Sequence, residues 1–177
     1  MASLTRYERD LRTRLRDSNA WPAFPNPDFA QRLESTALRA LGRRSADGDV
    51  TAIVVFHQLA EQLVQVLIAD GQFFVCVSVM PTRIKFADPP RQTFGQVLAM
   101  LRNGVEFRNK DTLLKLAGDL NDIRNAVAHR LLQRGSLAGL RSDARRSHRL
   151  FDRIFSIFDE VHDEFRVTFH GLAKDLD

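Results

Sequence analysis

A chain of 177 residues with 44% hydrophobic and 27% charged residues carries enough apolar material for one domain with a proper core, which excludes a wholly disordered protein. The net charge of +4 permits an anionic partner without demanding one. The single cysteine, Cys76, excludes an internal disulfide, and no Cys/His group has zinc-ligand spacing; the sequence implies no metal, no cofactor and a reducing, cytoplasmic setting.

Residues 1–17 alternate arginine with acidic residues and contain no secretory signal. Thr5 and Glu8 have capping-box spacing ahead of the stripe Leu4, Tyr7, Leu11 and Leu15, which predicts an opening helix. Three prolines between Trp21 and Pro27 must break it. Asn26 then reads as an N-cap with Pro27 in the first turn, and Phe29, Leu33, Ala37 and Leu41 give a short second helix ending near Gly42. Asp47-Gly48 is the strongest turn signal before a long helix carrying Ile53, Phe56, Ala60, Leu63, Val64 and Leu67 on one face, which is expected to end near Asp70-Gly71.

Residues 73–86 are β-branched and aromatic; the pattern fits a strand pair or a longer helix. Six polar residues from His57 to Asp70 interrupt the apolar stretch 50–80, so it is read as a buried helix and not as a membrane span. Thr93 and Gln96 form another capping box, and Leu98, Leu101 and Val105 continue that helix. A helix over about 110–132 and a final one over about 141–172 follow, separated by a loop at 135–139. The expectation is an all-α antiparallel bundle of four to five helices over residues 45–177, with residues 1–44 as an accessory helical segment.

The helix over 110–132 carries the most informative residues. Leu113, Leu116, Leu120, Ile123, Val127 and Leu131 form its core stripe, so at about 100° per residue Asn125 and His129 lie on the opposite side, with Asn121 and Gly118 beside them and Arg124 on the flank. A fixed cation, an amide and a proton carrier titrating near neutrality are suited to handling a phosphodiester. The same residue types also make an ordinary solvated helix face. Downstream, Arg130, Arg134, Arg141 and Arg145 open an arginine cluster that continues to Arg153; it would attract a phosphate backbone or simply be solvated. The remaining histidines, His57, His148, His162 and His170, show no ligand spacing; His57 reads as a packed or capping residue.

The run 120–129, ending Arg124-Asn125-Ala126-Val127-Ala128-His129, resembles the signature of the HEPN superfamily, small all-helical bundles that include many endoribonucleases. Ala60-Glu61-Gln62-Leu63 is similar to an acidic position in the first long helix of such proteins, and 93–98 is similar to a further segment; the likeness spans about residues 48–172. The resemblance implies metal-independent RNA cleavage in a cleft shared by a homodimer. Arg124 would hold the scissile phosphate, His129 would act as general acid or base, Asn125 would position one of them, and Glu61 would orient Arg124 or His129. Arg130, Arg134, Arg141 and Arg145 would contact RNA. Proteins of this kind serve in toxin or antiviral systems, so an antitoxin or regulatory protein is an expected partner, and a membrane is not. Leu131 stands where one toxin branch has tyrosine two residues after the histidine, so that branch's partner is not implied. Members without catalysis, and mannitol-operon repressor-like proteins, supply the alternative of a non-catalytic dimerisation or regulatory module.

Overall fold

The computed structural model describes residues 5–87, 92–131, 137 and 139–175. The chain is all-helical among these residues: α1 (Arg6–Arg16), α2 (Pro27–Gly42), α3 (Ala46–Ser78), α4 (Phe94–Gly104), α5 (Lys110–Arg130) and α6 (Leu140–Lys174), with a short 3₁₀ turn at Ser18–Ala20. Local chemistry sets several of the starts. Thr5 with Glu8 and Thr93 with Gln96 close reciprocal capping boxes, and the Asn26 side chain accepts from the Phe29 amide with Pro27 in the first turn.

Two expectations are corrected. Asp47-Gly48 is not a turn: α3 is capped by Ser45 and already contains both residues, the reversal falling at Arg43–Arg44, where Arg44 takes a left-handed φ of 56°. Gly48 lies there because α2 crosses closely, and a Cβ would collide with the Ala40 carbonyl. Nor does α3 stop at Asp70-Gly71. It continues to Ser78, which resolves residues 73–78 as helix and not strand. At Gly71 a Cβ would lie 2.7 Å from Val105 Cγ2, so this glycine serves close packing rather than termination.

α3 is the hub. At 33 residues it is about 50 Å long. Ile53, Phe56, Leu63 and Leu67 are fully buried against Leu101 of α4, Leu113 and Leu120 of α5, and Ile154 of α6. Each such side chain contributes roughly 1.5–3 kcal/mol of hydrophobic stabilisation. A second cluster joins Leu11, Leu15 and Trp21 to Phe73, Val77 and Phe169, so the N-terminal helix packs on the far ends of α3 and α6. Among the described residues, α3 is the one helix long and apolar enough to cross a membrane by length and composition, and 56% of its most apolar stretch is buried within the protein.

Polar contacts reveal the helix directions. Asp49 pairs with Arg141 and Asp70 with His162, both 92 residues apart, so α3 and α6 run parallel over that span. Phe94 lies on His57 and Val105 on Gly71, so α4 also follows the direction of α3. α5 starts beside the end of α4, where Lys110 Nζ donates to the Arg102 carbonyl at 2.8 Å, and returns to His57 at Asn121, antiparallel to α3.

Candidate functional site

The middle of α3 and the C-terminal half of α5 meet in a polar contact within the bundle. His57 is 5% exposed, packs edge-on against the Phe94 ring at 4.9 Å, and its Nε2 donates to Asn121 Oδ1 at 3.1 Å. One turn further along α3, Glu61 is half-buried. On α5, Arg124 is half-buried and its guanidinium donates to Asn125 Oδ1 at 3.1 Å. His129, one turn beyond Asn125, is exposed.

The titration behaviour follows from this placement. Burial pushes the His57 pKa below its ordinary value, an effect opposed by the Asn121 hydrogen bond and reinforced by the nearby Arg124 charge. Burial pushes the Glu61 pKa up, and Arg124 pulls it back. Arg124 is therefore electrostatically in touch with both α3 residues: it favours the carboxylate of Glu61 and the neutral imidazole of His57. A guanidinium held by an amide acceptor, with a carboxylate within electrostatic reach, can hold an anionic oxygen, while an exposed imidazole on the same helix can carry a proton.

The structure thus joins Arg124 to Asn125, leaves Glu61 within electrostatic reach of Arg124, and leaves His129 exposed. Asn121, grouped with Asn125 from its spacing, is turned toward α3 instead. Sequence reasoning did not place His57 and Asn121 together. Their signal is faint but present: each lies four residues before a site residue, Glu61 and Asn125 respectively, on its own helix. Gly118 has open space where its side chain would be, and Ala128 is exposed, so among the described residues nothing covers α5 at these two positions.

The expected RNA-contacting arginines have different surroundings. Arg141 is committed to structure: it bonds the Leu41 carbonyl and pairs with buried Asp49 at 2.8 Å, tying the starts of α3 and α6 to the end of α2. Its guanidinium is thus engaged within the fold. Arg145 is exposed on α6. Arg134 and the Arg130 side chain lie outside the described residues. No protein-family model matches the chain, and no curated protein or solved structure matches it.

Proposed function

We propose that the chain is a homodimeric endoribonuclease of HEPN type, cutting RNA without a metal through the substrate's own 2′-hydroxyl, in a toxin or antiviral setting. One observation carries this reading. α5 carries Arg124, bonded to Asn125, within electrostatic reach of Glu61 of α3, and presents an exposed His129 on the same helix.

The chemistry divides among these residues. The 2′-oxygen attacks phosphorus and the bond from phosphorus to the 5′-oxygen breaks, leaving a cyclic phosphate and a free 5′-hydroxyl. Arg124 holds the non-bridging oxygens as their charge builds. His129 moves a proton at the 2′-oxygen or the departing 5′-oxygen; with two protomers, one imidazole serves each end. Glu61 attracts the guanidinium electrostatically, and Asn125 accepts one of its N–H groups.

Purified protein is expected to cut single-stranded RNA in EDTA and to leave an oligonucleotide with a 2′-deoxy sugar at the cut site intact. His129→Ala and Arg124→Ala should each lower the rate by about 100-fold or more, with unchanged helical circular dichroism. Equal behaviour of wild type and both variants would rule out catalysis and leave a helical dimerisation or regulatory module.

A further inference from the structure

On the side of α5 that carries Lys115 and Asp119, the helix forms a groove with α6 of about 580 Å³. Its walls carry Lys115 from α5 and Arg146, Arg149 and Arg153 from α6. The three arginines are spaced three and four residues apart, so they line one face of the helix. Leu116 and Leu150 are the buried floor beneath them.

Only one of the four cations is neutralised there. Arg146 donates to Asp119 at 3.0 Å, and this carboxylate is the acidic group of the groove. Lys115, Arg149 and Arg153 have no ion pair with any described residue. Three uncompensated cations converging on one cleft make a site for several negative charges in a row. A cleft between low-dielectric walls also raises their potential above that of scattered surface arginines.

We propose that this groove is the track for the phosphates of single-stranded RNA on one side of the cut. The proposal rests on the nuclease reading for the identity of the polyanion. The groove lies on the N-terminal half of the helix that carries Arg124, Asn125 and His129. From Asp119 to His129 is ten residues, about 15 Å along the axis, a distance that two or three nucleotides cover. The groove replaces Arg141, which is occupied by Asp49, as the source of backbone affinity.

The test measures binding of a fluorescent 2′-O-methyl oligonucleotide, which cannot be cut, as a function of salt. Wild-type affinity is expected to fall steeply with salt. The variant Lys115→Gln/Arg149→Gln/Arg153→Gln should bind about tenfold more weakly at 0.1 M salt, with a slope of log affinity against log salt shallower by roughly 2. A charge-matched control, Arg6→Gln/Arg9→Gln/Arg32→Gln, removes exposed cations on α1 and α2 and should keep the wild-type slope.

Equal losses in the two variants would show diffuse attraction to a basic protein and overturn the groove. So would an unchanged slope in the first variant, or binding confined to anionic lipid vesicles. Because the probe is inert, the readings separate: salt-sensitive groove binding without RNA cutting sinks the nuclease alone, and cutting with an unchanged slope sinks the groove alone.

Discussion

Besides Asp49, which pairs with Arg141, α3 buries His57 and Asp70, thirteen residues apart, and solves the problem differently at each. At His57 a neutral imidazole meets a neutral amide, with a cation nearby but no direct counter-charge. At Asp70 a carboxylate with no exposed surface receives the Nδ1 proton of His162 at 2.7 Å, and Arg166 donates to the other nitrogen of that ring at 3.2 Å. Arg166 also holds the Ser18 and Pro22 carbonyls and lies over the Trp21 ring. The lower level is thus a clamp joining α3, α6 and the N-terminal segment. The upper level is half open and leaves Arg124 and Glu61 with unused bonding capacity. One level is closed by a charge network, and the other holds the proposed site.

The largest expected effect tests that division. His162→Ala strips Asp70 of its hydrogen bond and leaves a fully buried carboxylate, which should cost about 3 kcal/mol in denaturant unfolding. Asp70→Leu/His162→Leu should cost less than His162→Ala, because no orphaned charge remains. At the other level His57→Leu should cost only about 1 kcal/mol: the group left behind, Asn121, is half-buried and can find water. Similar losses at both levels would erase the distinction.

Glycines give a second contrast, of smaller size. Gly71→Ala, beside the clamp, forces a methyl into Val105 and should destabilise by about 2 kcal/mol. Gly118→Ala, beside the candidate site, meets open space and should raise monomer stability by up to about 1 kcal/mol through helix propensity. Thermal unfolding of the two variants gives opposite signs if the site helix is uncovered as described.

The two levels also differ in how much of them the sequence reveals. The caps at Thr5, Asn26 and Thr93 are readable because cap and partner lie within three residues. The polar face of α5 is readable because its apolar stripe is regular over five turns. Asp70-Gly71 misleads, since a carboxylate followed by glycine is a stop by local rules. Its meaning is set by His162, 92 residues away, and by Val105 across the bundle. Arg141 misleads for the same reason: an arginine looks free until Asp49 and the Leu41 carbonyl are beside it. Long-range polar pairing carries no periodicity, so nothing in a single sequence announces it.

The pH dependence of folding should follow the same division. His57 has its pKa lowered in the folded chain, so below its ordinary value of about 6.5 the unfolded chain binds a proton that the folded chain resists. Its contribution to stability is complete above that value and is lost as pH falls through the window beneath it. Asp70 is raised, mainly by burial, so the folded chain keeps a proton that the unfolded chain has released. Its contribution is complete below the ordinary carboxylate pKa and declines as pH rises toward the folded value. His57→Leu should therefore flatten the stability loss just below pH 6.5, and Asp70→Asn should leave that limb unchanged while removing the rise at more acid pH.

The smallest effect is the most specific to the site. Arg124 lowers the pKa of His57 by repelling its charged form and lowers that of Glu61 by attracting its carboxylate. Arg124→Gln should therefore raise both values, in the same direction, with Asp70 unmoved, as followed by NMR titration of the ring and carboxyl signals. A purely structural arginine packed along α5 would shift neither group. Movement of His57 alone would separate Glu61 from the guanidinium and remove the orienting role assigned to that carboxylate, leaving Asn125 as the one side chain that fixes Arg124.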